Sequence, residues 1–363
     1  PAGAGATHLQ GASHLESARH LNGCDERRPA QTIDDVAKKA AVSTATVSRA
    51  LRGLPNVAEA TRSHVLKVAK ELNYVMQMQS TRGLNGSKVI AIIRPLVDQW
   101  FYSKISTLVE LELRAAGYHV VHHTVDSQDE QSELIIELLS QKLADAFITV
   151  SFPIGLNALE YIDMHQAPVV TLETKSGNLP RVYIDNTEAA ELAVRYLINL
   201  GHSRIGFIYG STKITRFEYI SSSRYKGYKR ALHAAGISED HDLEVLGNDV
   251  YRGGARALKQ LMTIKNPPTA IFAMTDEMAI GALKMLRDMN LEVPKHISVI
   301  GFDDNDVSEY LGLSTIKQPL TRYGELAAEM IVSKFNKPNI QIIDKKLTYE
   351  LVIRASTGPK FQM

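Results

Sequence analysis

From residue 88 onward, short apolar runs alternate with stretches whose apolar positions recur every three or four residues. The runs VIAII (89–93), YHVVHHTV (118–125), AFITV (146–150) and PVVTL (168–172) form one series. RIGFIYG (204–210), DLEVL (242–246), AIFAM (270–274) and HISVIGFDD (296–304) form a second. Such runs predict strands, and the stretches 103–116, 129–141, 224–235 and 277–289 predict helices between them. Strand–helix alternation of this kind gives a parallel sheet covered by helices. Two series imply two Rossmann-like lobes, with a ligand lying between them at the carboxyl ends of the strands.

Residues 31–74 follow a different pattern, purely helical and in short pieces. Ile33, Val36, Ala37 and Ala40 lie at helical spacing after Thr32, which can cap their helix. Asp35, three residues on, makes a shortened capping box, and Asp34 and Asp35 suit the positive end of the helix dipole. Ala41 and Val42 make a turn, and Ser43 caps a second helix. Val47, Ala50 and Leu51 then face the first helix, leaving Thr44, Ala45, Ser48 and Arg49 outward. Gly53 and Pro55 end that element, and a longer helix follows with Val65, Val68 and Leu72 inward. This is the shape of a helix-turn-helix module, whose second helix enters the DNA major groove. Short side chains there permit close approach, and Arg49 can make a bidentate contact to guanine.

The bland alternative is a small helical bundle with a solvated arginine. Charge argues against it. Seven basic residues face four acidic ones between 31 and 74, a surplus of three in a chain whose net charge is +1. Positive charge concentrated on one compact unit suits a phosphate backbone. Residues 76–87, MQMQSTRGLNGS, read as a hinge between this unit and the rest.

At 363 residues the chain exceeds one ordinary domain, and 44% hydrophobic with 22% charged residues is usual for a globular protein. The single cysteine, Cys24, excludes an intramolecular disulfide and fits a reducing cytoplasm. No apolar run is long enough to span a membrane, and residues 1–30 lack the order of a signal peptide; they read as a disordered extension. His8, His14, His20 and Cys24 are too sparsely spaced there to point to a metal site.

These residues resemble the lac repressor and purine repressor (LacI/GalR) family of bacterial transcription regulators. The headpiece match is TIDDVAKKAAVSTATVSRAL with the later TRSHVLKVAKELNY. The core adds LINLGHSRIGFI, SSSRYKGYKRAL, PPTAIFAMTDEMAIGAL, VPKHISVIGFDD, LSTIKQP and YELVIRAST, in the family's order. The resemblance implies an all-α helix-turn-helix headpiece (31–75), a hinge (76–87) and a two-lobed, periplasmic-binding-protein-like α/β core (88–363). Lobe 1 would comprise about 88–201 and 320–338, and lobe 2 about 202–319 and 339–357. It further implies a cytoplasmic homodimer reading a near-palindromic operator, under the control of a small effector in the cleft. No leucine heptad tail follows Arg354-Ala355-Ser356-Thr357, which points away from a tetramer.

By the resemblance Thr44, Ala45 and Arg49 fall at base-reading positions, with Thr46 and Ser48 on the same DNA-facing helix. Leu84 is the candidate hinge residue wedged into the minor groove. The chain departs from the family at the hinge, where Met76 or its neighbour replaces a proline and Leu84 lies one residue late, and at Ala58, where a capping Ser is usual. In the core the resemblance makes Asp303 and Arg224 effector ligands, with Trp100 and Phe101 of DQWFY behind them and Thr275 where the family usually has Asn. A carboxylate, a guanidinium and an aromatic face suit a carbohydrate, mono- or oligomeric. Tyr209 and Ser211 border the same cleft.

Other roles compete at each position. Asp303 could cap a helix or turn, as Asp304 and Asp306 are expected to do, and Arg224 could be a surface ion-pair partner. Trp100 is equally a stacking platform or an interface residue, and Asp276 reads as the N-cap of the helix 277–289. A carbohydrate-binding protein without a regulatory role would need no headpiece. A sugar hydrolase would need Asp303 and Asp304 as a pair, yet neighbours on an extended segment point to opposite sides. No nucleophile elbow, phosphate loop, cofactor motif or metal-ligand cluster occurs, so no catalytic residue is assigned.

Overall fold

The computed structural model describes residues 32–51, 54, 57–72, 74, 88–210, 218–248 and 250–361, with the backbone alone at 218–221. The first unit is α1 (Ile33–Ala40), α2 (Thr44–Leu51) and α3 (Glu59–Glu71), closed over Val36, Val47, Leu51 and Val65. Thr32 and Asp35 form a complete capping box on α1, and Ala41 takes the left-handed conformation that turns the chain toward α2. Arg62 in α3 donates to the carbonyls of Ala50 (3.2 Å) and Leu54 (2.8 Å), satisfying the end of α2 and tying the third helix to it.

The core runs β1 (Val89–Pro95), α4 (Trp100–Ala115), β2 (His119–Val125), α5 (Gln128–Ser140), β3 (Ala146–Val150), α6 (Leu156–His165), β4 (Val169–Leu172) and β5 (Arg181–Tyr183). It continues with α7 (Asn186–Asn199), β6 (Ile205–Tyr209), α8 (Glu218–Ala234), β7 (Glu244–Leu246), α9 (Val250–Leu261), β8 (Ala270–Ala273), α10 (Asp276–Asp288) and β9 (Ser298–Ile300). The last elements are β10 (Thr315–Lys317), α11 (Leu320–Asn336), β11 (Lys345–Lys346) and β12 (Glu350–Val352). The two main sheets are parallel throughout, β11-β5-β4-β3-β1-β2 in lobe 1 and β7-β6-β8-β9 in lobe 2, and β10 and β12 form a separate antiparallel pair. Their central strands are buried on both faces, as parallel strands between helices must be. The α/β class and the two-lobed architecture expected from the sequence are therefore present.

The lobe boundaries differ from the expected ones in two places. Helix α7 packs on α8 and against β8 and β10, so the first crossing into lobe 2 comes at about 184–186, not at 201. Lys345–Lys346 pairs with Val182–Tyr183 at the edge of the lobe 1 sheet, so the final return comes after 346, not at 339. Helix α11 packs on α4 and beside β4 and β5, in lobe 1 as expected. Helices α9 and α10 approach so closely that a Cβ on Gly254 or Gly281 would overlap a backbone carbonyl of the other helix. That contact fixes where α10 begins.

Ala58 precedes α3 with no side-chain cap, and it is exposed. Replacing Ala58 with Ser should add a cap worth about 1 kcal/mol. Hydrogen exchange of the α3 amides in the full chain should then slow by roughly fivefold; unchanged protection would show the helix start to be satisfied already.

Candidate functional site

On the headpiece, the Ser43 hydroxyl accepts from the backbone N–H of Thr46 (3.1 Å), which starts α2 at Thr44. The Ser43 and Thr46 hydroxyls are also 2.8 Å apart, so Thr46 serves the cap as well as the helix face. Thr44, Ala45 and Arg49 are exposed together, and Ser48 is half-buried beside them. Among the described residues Arg49 makes no ion pair, whereas Lys39 is held by Glu71 at 2.9 Å. The helix thus presents a small polar surface with one uncommitted guanidinium. Leu84 and the rest of the hinge, like Ser211, lie outside the described residues.

Between the lobes, Arg224 of α8 is buried. Its Nε donates to Asn186 Oδ1 (2.9 Å), one terminal nitrogen to the Met274 carbonyl (2.6 Å), and the other lies 3.5 Å from Asp303 Oδ1. The guanidinium carbon lies over the Phe302 ring, 3.6 Å from its centroid. Asp303 also accepts from Gln318 Nε2 (2.7 Å). On the other side, the Asn186 amide donates to Glu173 Oε2, and the Tyr323 hydroxyl donates to Glu173 Oε1. One polar chain therefore runs from Tyr323 and Glu173 in lobe 1, through Asn186, to Arg224 and Asp303 in lobe 2.

This chain holds two buried carboxyls and one guanidinium. Burial, with help from Asp276 and against the pull of Arg224, pushes the Asp303 carboxyl up to about 8. Burial likewise raises Glu173, while Tyr323, Arg224 and Asn186 act the other way. Asp303 occupies a turn with φ 120°, followed by Asp304 at φ 57°, conformations that side chains adopt only when the surroundings insist. The insistence comes from Asp276. Rather than capping a helix, Asp276 is the first residue of α10 and is wholly buried. It accepts from the Asn305 N–H (2.7 Å), the Ser308 hydroxyl (2.6 Å) and the Thr315 hydroxyl (2.6 Å), and burial lifts its carboxyl to about 6.

The cap of α10 is Thr275, whose hydroxyl accepts from the Met278 N–H (3.3 Å) and keeps its own hydrogen to donate. Asp304 turns away to ion-pair with Arg354 (2.8 Å) and Lys317 (3.9 Å), so Asp303 and Asp304 do not converge as an acid/base pair. Asp306, expected to cap a turn, accepts instead from the indole N–H of Trp100 (3.1 Å). Trp100 and Phe101 lie in the first turn of α4, which begins three residues before the predicted helix. Phe101 is buried edge-on against Tyr102, ring centroids 5.3 Å apart, and burial pushes the Tyr102 hydroxyl up to about 12. Tyr209 stacks with Phe207 (5.8 Å) at the end of β6.

Sequence reasoning missed Glu173, Asn186, Gln318 and Tyr323. Glu173 follows β4 and Asn186 follows β5, so the placing of a ligand at the carboxyl ends of the strands could have pointed to both. Nothing in the local pattern singles out Gln318 or Tyr323, which arrive by the second crossing. The Gln318 Oε1 is buried without a hydrogen-bond partner among the described residues, an acceptor left for a donor.

Residues 32–77 match the model of bacterial regulatory proteins of the lacI family, and residues 194–357 match that of the periplasmic binding protein-like domain. The HTH-type transcriptional repressor CytR of Escherichia coli is 34% identical over 337 residues, 92% of this chain and 98% of CytR. Catabolite control protein A of Priestia megaterium is 32% identical over 334 residues, 90% of this chain and 99% of that protein. Among solved structures, a complex of the transcriptional regulator CelR with cellobiose is 27% identical with a TM-score of 0.65, covering 90% of this chain and 99% of CelR. The Escherichia coli transcriptional repressor ascG is 26% identical with a TM-score of 0.67, covering 75% and 100%. A DNA-reading headpiece on a two-lobed binding core defines a bacterial transcriptional regulator. The chain belongs to the LacI family.

The raised Asp303 carboxyl makes a test. Its ordinary value is 3.8 and its folded value about 8, so the folded core binds this proton more tightly than the unfolded chain does. The stability it contributes is present at low pH and is lost as pH rises from about 4 toward about 8. Calorimetry should show the thermal midpoint falling less between about pH 6 and pH 8 in Asp303→Asn than in the unaltered protein. An identical fall in both would mean the carboxyl does not titrate in this window.

Proposed function

We propose that this regulator is a cytoplasmic repressor that binds a near-palindromic operator as a homodimer, and that a mono- or oligosaccharide between the lobes controls its affinity. The observation that carries the effector reading is the buried Arg224–Asp303 pair against Phe302, beside the partnerless Gln318 acceptor. Vicinal hydroxyls both donate and accept, so they complement Asp303 and Gln318 on one side and Arg224 on the other. Thr275 adds a donor, and Phe101 an apolar wall. Trp100 contributes less as a stacking platform than as a link between lobes, because both its N–H groups are taken by lobe 2. That CelR is solved with cellobiose supports the same ligand class here.

For DNA, Arg49, Thr44 and Ala45 read bases, while Thr46 and Ser48 support the helix against the groove. Leu84 remains the hinge wedge of this proposal. One eight-residue helix reads only a few base pairs, so two copies on two half-sites supply the specificity. The exposed apolar residues Val307, Tyr310 and Leu311, close together after the Asp303 turn, offer the second copy a surface.

Operator sites selected from a random DNA pool should prove near-palindromic, with affinity falling steeply as salt rises. Arg49→Ala should weaken the selected site by roughly 10- to 100-fold while barely changing non-specific binding; equal affinity for the selected site would reject its base-reading role. A thermal-shift panel of sugars, with nucleobases as controls, should give a stabilising sugar whose shift disappears in Asp303→Ala. A hit among nucleobases alone would overturn the carbohydrate reading, and a sedimenting monomer at micromolar concentration would overturn the dimer.

A further inference from the structure

Helix α4 begins in lobe 1 with Gln99 as N-cap, and that side chain makes no capping bond. Its first turn also lacks an acidic residue. The missing negative charge comes from the other lobe. Glu277, in the first turn of α10, accepts from the Trp100 backbone N–H at 3.2 Å and is itself buried. Asp306, in the segment after β9, accepts from the Trp100 indole at 3.1 Å and from Lys104 Nζ at 3.1 and 3.2 Å. Lys104 also lies 5.8 Å from the centre of the Trp100 ring.

From this geometry we infer that Glu277 and Asp306 act as an inter-lobe clasp, capping and gripping the first turn of α4 so that the cleft is held closed by the protein's own groups. Every bond in the clasp joins two protein groups, so it forms with or without an effector. Separating the lobes would uncap α4, return the buried Glu277 carboxyl to water and break the more exposed contacts of Asp306 with Lys104 and the indole N–H. A structural cap would come from the same lobe and would report nothing about closure. This one exists only when the lobes meet. A closed population maintained in this way lowers the conformational cost that any cleft ligand must meet, and so sets its apparent affinity. The clasp stands apart from the choice of effector, and its failure would leave the carbohydrate reading intact.

Trp100 is the only tryptophan in the chain, so its fluorescence reports the clasp directly. The probes are acrylamide quenching and small-angle scattering on the full chain with no added ligand. Glu277→Ala with Lys104→Ala leaves the indole's own partner in place. This pair should raise the quenching constant at least about twofold, shift emission to the red and enlarge the radius of gyration. Asp306→Asn, at a side chain with 64% exposure, is a milder second variant and should move all three readings the same way. Unchanged quenching and radius in folded variants would overturn the proposal. A rise in quenching with no change in radius would overturn it too, because it would show only a local contact.

Discussion

A guanidinium buried between two lobes is the constraint on which the core depends. An unpaired charge there would cost several kcal/mol, so the chain must bring it partners from every direction. Arg224 receives the Asn186 amide oxygen from the first crossing, the Met274 carbonyl from the end of β8, Asp303 from the turn after β9 and the face of Phe302. They come from three different segments, none close to Arg224 in sequence. The lobes and their crossings must therefore be placed correctly before the arginine is satisfied.

The surplus carboxyl explains why that site is not simply a structural ion pair. Glu173 and Asp303 share one guanidinium, and burial raises both of them. Packed for stability alone, such a position would favour an apolar residue. Keeping acceptors there, with a partnerless Gln318 oxygen beside them, suits a ligand that brings donors.

Much of this was legible in the sequence, and the losses have physical causes. The strands were placed to within a few residues because parallel strands buried on both faces are continuous apolar runs. The headpiece was legible in detail, down to the Thr32 and Ser43 caps and the bare Ala58, because capping is local. Which sheet a helix covers is not local. The amphipathic stripe of α7 is equally good for either lobe, and so the crossing was expected at 201. The two-residue strand Lys345–Lys346 is exposed and charged, with no periodicity to announce it. At the site, Asp303 and Arg224 were found through motifs, but their partners Asn186 and Gln318 sit in crossings, where sequence neighbours say nothing about spatial ones. Asp276 was misread for a related reason. Thr275 already supplied the cap, which left the aspartate free to turn inward.

That misreading shows how the start of α10 is organised. Three consecutive residues there point three ways. Thr275 caps the helix, Asp276 anchors the Asp303–Asp306 turn from below, and Glu277 reaches lobe 1. Helical geometry turns each side chain about 100° from the last, so one helix end can serve three partners without conflict. The close packing of α10 on α9 through Gly254 and Gly281 keeps that end from drifting. A shift of α10 would therefore be felt at once by the Asp303–Asp306 turn and by the first turn of α4. The Asp303–Asp306 turn and the group that reaches lobe 1 thus share a single mount at the start of α10.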